Sequence, residues 1–127
     1  MSKSVLSDAE DVLHRLSFIR NKRQEYFVCM SLDCGGKVIS RRTVTIGLLN
    51  ATLVHPREVF AGPLKDRAAA VIVAHNHPSG SARPSQEDIK TTQQLVAAGL
   101  ILGLAVRDHL IVTRDDVFSF KAHLLIL

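Results

Sequence analysis

Two imidazoles and a carboxylate are the residues most suited to chemistry in this chain. His75 and His77 lie in the segment Ala74-His75-Asn76-His77-Pro78-Ser79, and Asp88 follows after ten intervening residues, in Pro84-Ser85-Gln86-Glu87-Asp88. Residues i and i+2 of an extended chain point to the same side, so His75 and His77 can aim two imidazoles at one point. The loop after them, marked by Pro78, Gly80 and Pro84, reverses the chain. Asp88, in the first turn of the next helix, can return a carboxylate to that point. Two histidines and one carboxylate leave the fourth position of a tetrahedral Zn2+ open, the arrangement of a catalytic rather than a structural zinc. The same residues also read without metal. His-x-His describes two surface imidazoles before a proline turn equally well, and Asp88, three residues after Ser85, has the place of the acid in a capping box. The two roles of Asp88 are compatible, because a carboxylate can ligate with one oxygen and accept a hydrogen bond with the other.

These side chains need a strand before them and a helix after them, and the hydrophobic pattern supplies both. Residues 69–74 (AAVIVA) form a short, wholly apolar strand, expected at the centre of a sheet. Ser85-Gln86-Glu87-Asp88 opens a helix expected to stop near Gly99. Upstream, Ser7-Asp8-Ala9-Glu10 has capping-box form, and Val12, Leu13, Leu16 and Ile19 follow at helical spacing, giving a helix over residues 8–19. Residues 25–33 (EYFVCMSLD) read as a strand apolar on both faces, with Tyr26, Val28, Met30 and Leu32 on one and Phe27 and Cys29 on the other, hence interior to a sheet. Gly35-Gly36 marks a hairpin turn into a β-branched strand over 37–46. His55-Pro56-Arg57-Glu58 starts a helix that runs to about residue 68. Strands over 104–112 and 117–120 close the chain. The order αββαβαββ predicts an α/β (α+β) fold, a mixed β-sheet flanked by helices.

Composition narrows the classes. The chain has 127 residues, 46% hydrophobic and 22% charged, which excludes a disordered or collagen-like protein and suits one domain. Lys+Arg exceed Asp+Glu by 16 to 12, a net +4 that permits nucleic-acid contact without arguing for it. Aromatics are 5% with no Trp, so there is no stacking platform for single strands. Arg20, Lys22 and Arg23, and the pair Arg41-Arg42, are the locally basic points and read as solvated. Cys29 and Cys34 make no disulfide framework, as in a reduced, cytoplasmic protein. No targeting signal is visible at the N-terminus, and the longest apolar run, residues 95–106, is too short to span a bilayer, which needs about 20 residues.

The full pattern, His75-x-His77 with Asp88 and with Ser85 three residues before it, resembles the JAMM (MPN+) metalloprotease motif. The text around it, AHNHPSGSARPSQEDIKTT, together with VHPREVF and DHLIV, is similar to the RadC family, whose C-terminal domain is of JAMM type. The resemblance runs from about Arg23 to Phe120. It implies a JAMM/MPN-like (cytidine deaminase-like) architecture over residues 23–127, preceded by an N-terminal helical segment over residues 1–22. RadC-family proteins usually carry a longer helical N-terminal region, so the resemblance implies a fragment or a short member.

The resemblance also implies roles. His75, His77 and Asp88 hold one Zn2+. JAMM enzymes use a glutamate at the start of an earlier strand, and Glu25, which opens QEYFVCMSLD, matches it as general acid/base. Without the family, Glu25 reads as a solvated strand end. Glu58 is the rival base, although its place suits a helix N-terminus. Ser85 matches the serine that stabilises the oxyanion, and it also has the position of an N-cap. Asp108-His109 offers a second partner to the site or simply a satisfied core histidine. Cys29 needs no chemistry, and His14, His55 and His123 receive no role. The expected function is a zinc-dependent metallopeptidase cleaving a peptide or isopeptide bond. The substrate is a peptide or protein, presented as an extended tail near the sheet edge. The alternatives are a DNA-repair-associated accessory module, for which no DNA-reading motif is present, and a catalytically idle scaffold for protein contacts. The apolar end, residues 124–127, is expected as a buried end strand or a subunit contact, so an oligomer is open.

Overall fold

A computed structural model describes residues 8–47 and 54–126. Helix α1 (Asp8–Arg15) passes through a 3₁₀ turn (Ser17–Ile19) to strand β1 (Tyr26–Leu32) and its hairpin partner β2 (Val38–Ile46). Helix α2 (Pro56–Lys65), strand β3 (Ala70–Asn76), helix α3 (Gln86–Leu102) and strands β4 (Ala105–Val112) and β5 (Val117–Ser119) complete the order. The predicted αββαβαββ sequence and the mixed sheet with flanking helices are what the structure has. The sheet order is β2-β1-β3-β4-β5, which places the all-apolar β3 at the centre. Strands β3 and β4 run parallel through the α3 crossover, and the other pairings are antiparallel.

The two-sided burial of β1 and β3 divides the core between the sheet faces. On one face Phe27, Cys29, Val71, Val73 and Ile111 pack under Val59 and Phe60 of α2 and Leu95 of α3. On the other, Val28, Met30, Ala74, Leu110 and Val112 pack under Val12, Leu16 and Ile19. The expected 8–19 helix breaks after Arg15, where Ser17 Oγ donates to the His14 carbonyl and the backbone tightens to i→i−3 bonds. The tighter turn brings Leu16 and Ile19, three residues apart, over one another, and both are fully buried. Ser7, the expected cap, lies outside the described residues.

Helix α3 does not stop at Gly99, as the glycine suggested. It runs to Leu102 and ends on Gly103 in the left-handed conformation, φ 74°. Gly99 instead belongs to the buried stripe Asp88, Thr91, Thr92, Leu95 and Gly99, which seats the helix on the sheet. A Cβ there would run into the Leu104 carbonyl oxygen. The apolar chain end is no strand either: it forms turns, with Ile126 buried and Leu124 and Leu125 exposed. Leu127 lies outside the described residues.

Asp66, just past the end of α2, ties that helix to the hairpin. Its carboxylate takes a two-pronged pair from Arg42, 2.6 and 2.8 Å, and accepts from Ser31 and Ser40 at 2.9 and 2.6 Å. The Arg42 guanidinium and the Ser40 hydroxyl hold the Asp66 carboxyl well below the usual carboxylate range.

Two stability measurements check this packing. Gly99→Ala would gain about 1 kcal/mol in an unobstructed helix; here denaturant unfolding should show a net loss of about 1–3 kcal/mol, the scale of overpacking. Asp66→Asn should cost about 2 kcal/mol at neutral pH. Because the folded carboxyl is depressed, its contribution is complete above the unfolded value near about 4 and is lost as pH falls further. The difference between wild type and Asp66→Asn should therefore narrow in acid.

Candidate metal centre

Strand β3 ends by carrying its alternation past the sheet. His75 continues the face of Val71 and Val73 and is fully buried, its ring stacked on Phe27 at 6.1 Å between centroids. His77 stands beyond the strand end, half-buried. The loop then returns to Ser85, which caps α3. Its Oγ accepts from the Asp88 N–H at 3.0 Å, and Asp88 Oδ2 accepts from the Ser85 N–H at 2.8 Å, a complete capping box. That cap fixes the Asp88 carboxylate against the histidines. His75 Nε2 lies 3.2 Å from Asp88 Oδ1, His77 Nε2 lies 3.1 Å from Asp88 Oδ2, and the two Nε2 atoms are 2.9 Å apart.

The electrostatics follow from this crowding. Burial alone would raise the Asp88 carboxyl, but His75, His77 and the Ser85 N–H outweigh it and hold the group well below its usual range. The same Asp88 contact raises His77 against the pull of burial, helped by the Ser81 carbonyl and the Glu25 charge.

The residues suit a divalent cation of nitrogen and oxygen preference. The ligand–ligand edge of a tetrahedral zinc is about 3.3 Å, and the three contacts here are 2.9, 3.1 and 3.2 Å. His77 Nδ1 faces the Ser81 carbonyl at 2.8 Å; a carbonyl has no proton to give, so that nitrogen carries one, and Nε2 is the nitrogen that a cation would take in exchange for a proton. A second carboxylate is near: Glu25, half-buried, offers an oxygen that lies with the His75 and His77 nitrogens inside a 4.8 Å cluster. His77 and Asp88 border a cleft of about 860 Å³, also lined by Glu25 and Ser85, with Arg23 and Arg83 on its walls, while His75 is buried and does not line it.

Each residue singled out in the sequence can now be placed. His75, His77, Asp88, Glu25 and Ser85 all come together here. Ser85 is engaged as the N-cap, yet the cap uses Oγ only as an acceptor, so the hydroxyl proton remains available. Glu58 stands in the first turn of α2, 3.6 Å from Arg57, away from the cleft lining. His55, which received no role, is the N-cap of α2, its Nδ1 accepting from the Arg57 N–H. Cys29 is buried with its thiol pushed up to about 12 by desolvation, so it is not a nucleophile.

Two residues at the site went unread in the sequence, and a third was left undecided. Asn76, between the two histidines, is fully buried on the opposite side of β3. Its Oδ1 accepts from the Tyr26 N–H at 2.6 Å and its Nδ2 donates to the Gln24 carbonyl at 2.9 Å. It thus grips the backbone on both sides of Glu25. His109 was left between a partner and a core residue, and it is both. It is buried between Phe27 and Phe120, with Nε2 2.8 Å from His75 Nδ1. Thr92 lies against the far side of His109. A polar residue inside an apolar strand or helix stripe was the available signal for each.

Comparison with known proteins gives the family of the chain. A family model described as a RadC-like JAB domain matches residues 6–125. The chain is 53% identical over 104 residues to a UPF0758 protein of Methanospirillum hungatei, covering 82% of this chain and 46% of that protein. It is 42% identical over 118 residues to a UPF0758 protein of Bacillus cereus, covering 93% of this chain and 52% of that one. The chain thus spans about half the length of the curated relatives it matches. With the family model matching nearly its whole length, and the mixed sheet and strand-end histidines in place, the chain belongs to the RadC-like JAB domain family.

Proposed function

We propose that this domain is a zinc-dependent hydrolase acting on a peptide or isopeptide amide bond. The observation that carries the reading is the meeting of His75 Nε2, His77 Nε2 and the Asp88 carboxylate within 2.9–3.2 Å, with His77 and Asp88 lining an open cleft. These three residues would hold the metal. Asp88 is favoured over Glu25 as the third ligand because its oxygens already touch both imidazole nitrogens, and because its capping box fixes its rotamer. Bound zinc supplies a Lewis acid that brings the pKa of a coordinated water to about 7.

The remaining work falls to the chain. Glu25 lies close enough to the histidine pair to accept a proton from the attacking water and deliver it to the leaving amine. Asn76 holds the backbone on either side of Glu25, so the carboxylate is aimed by a buried side chain rather than by a free loop. Ser85, its hydroxyl proton uncommitted, donates to the oxyanion that forms on the substrate carbonyl. The cleft is open at the surface, which suits a chain-like substrate.

The zinc assignment is checked by elemental analysis of purified protein, which should find about one Zn2+ per chain. His75→Ala and His77→Ala should lose it. Asp88→Asn should keep most of the cap, because its amide oxygen still accepts from Ser85, while binding zinc more weakly. Full occupancy in both histidine variants would overturn the site. The catalytic assignment is checked with a cleavable peptide selected from a library. Glu25→Gln should still bind zinc near wild-type levels, while kcat falls by roughly 10²–10⁴-fold, the usual contribution of a positioned acid–base group. Glu58→Gln should leave turnover unchanged. The reverse pattern would move the base to α2.

A further inference from the structure

The hydrogen-bond partners of three buried groups fix which nitrogen of His75 carries its proton. Thr92 Oγ1 lies 2.7 Å from the Asp88 main-chain carbonyl and 2.5 Å from His109 Nδ1. A carbonyl oxygen has no proton, so the short contact to it takes the one hydroxyl proton of Thr92. The contact between Thr92 and His109 must then carry the proton of His109 Nδ1. A neutral imidazole has one N–H, so His109 Nε2 is left as an acceptor. Its neighbour is His75 Nδ1 at 2.8 Å, which must therefore be the donor. His75 Nδ1 thus carries a proton, so in the neutral ring Nε2 is the nitrogen that presents a lone pair toward His77 and Asp88. All members are buried: His75, His109 and Thr92 are each at most 1% exposed. Water cannot re-pair them. His109 lies between Phe27 and Phe120, and neither of its ring nitrogens meets a carboxylate, so nothing beside it calls for a second proton.

We propose that Thr92 and His109 are positioning residues: a buried hydrogen-bond relay, Asp88 carbonyl ← Thr92 ← His109 ← His75, that locks His75 in the tautomer able to bind a metal through Nε2. The inference rests on the zinc reading for its consequence, but not for its geometry. Reversal of the relay would put the His75 proton on Nε2, where it would occupy the position of the metal. Thr92 therefore influences the centre without touching a donor atom of it. Helix α3 delivers both ends, since Asp88 and Thr92 are one turn apart on the same buried stripe.

Nitrogen-15 NMR of the zinc-free protein at mildly alkaline pH, combined with zinc competition titrations, tests this. Wild-type His75 should appear as the Nδ1–H tautomer. Thr92→Val removes the proton acceptor of His109 at nearly constant volume and should admit the Nε2–H tautomer. It should weaken zinc binding about 10–100-fold, the usual effect of losing a partner behind a metal ligand. Thr92→Ser keeps the hydroxyl and should restore both properties. His109→Phe should behave like Thr92→Val. His109→Gln, whose amide oxygen can accept from His75 and whose NH2 can donate to Thr92, should recover most of the affinity. A purely structural role would instead make the effects follow melting temperature, with no tautomer change and no rescue by glutamine. Wild-type His75 carrying its proton on Nε2, or Thr92→Val folding and binding zinc as tightly as wild type, would overturn the relay. If Thr92→Val and His109→Phe fail to fold, the wild-type tautomer and the two conservative variants decide. If wild type takes up no zinc, the hydrolase reading falls, while the tautomer still tests the relay.

Discussion

The rest of the site depends on one contact, the approach of two imidazole nitrogens to 2.9 Å at the end of a buried strand. Nitrogens with lone pairs do not rest so close without a positive charge or a proton between them. The fold nonetheless drives them together. Strand β3 is the middle strand of five, its side-chain alternation is enforced by neighbours on both sides, and His77, one residue past the strand end with its N–H on the Val112 carbonyl, follows His75 by two residues. Asp88 completes this arrangement. A carboxylate held by a capping box meets both nitrogens, so the helix that follows adds a third electron-rich donor to a cluster that a proton or a cation must bridge.

The crossover from β3 through α3 to β4 is therefore more than a connection. It contributes both histidines at its start, Ser85 and Asp88 at the helix N-terminus, Thr92 one turn on, and His109 on the returning strand. The stripe that packs α3 onto the sheet mixes polar site residues at its first turns with Leu95 and Gly99 further along. A stripe of that kind gives up apolar burial near the site and regains rigidity through satisfied hydrogen bonds. The antiparallel partner β1 adds Glu25 from the other side. Phe27 pairs with His75, so the residue two before Phe27 comes opposite His77, and Asn76 secures it there.

What the sequence disclosed and what it withheld divide along the range of the interactions. The HxH spacing, the capping box of Ser85 and Asp88, and the central apolar strand are local patterns, and each was readable from periodicity. Glu25 was not: nothing within its own segment separates it from a solvated strand end, and only the β1–β3 register brings it to the histidines. The RadC resemblance provided that link where residue patterns did not. His109 was left open between partner and core, because its contact with His75 spans 34 residues and depends on parallel pairing of two strands. Thr92 and Asn76 passed unread because threonine in a helix and asparagine near a strand end are ordinary until their hydrogen bonds are known. Gly99 misled for a related reason. A glycine near a helix end signals a stop, but this one makes room for the Leu104 carbonyl while Gly103 performs the termination.

X-ray absorption at the zinc edge of the reconstituted protein tests the central claim most directly, because it reports the donor atoms without reference to any substrate. Donors from His75, His77 and Asp88 predict a low-coordinate zinc with two imidazole signatures and only nitrogen or oxygen neighbours, at about 2.0–2.1 Å. A sulfur shell at about 2.3 Å would place the metal on a cysteine such as the exposed Cys34. A shell of oxygens without imidazole scattering would leave the histidine pair unused. Either result would contradict the account.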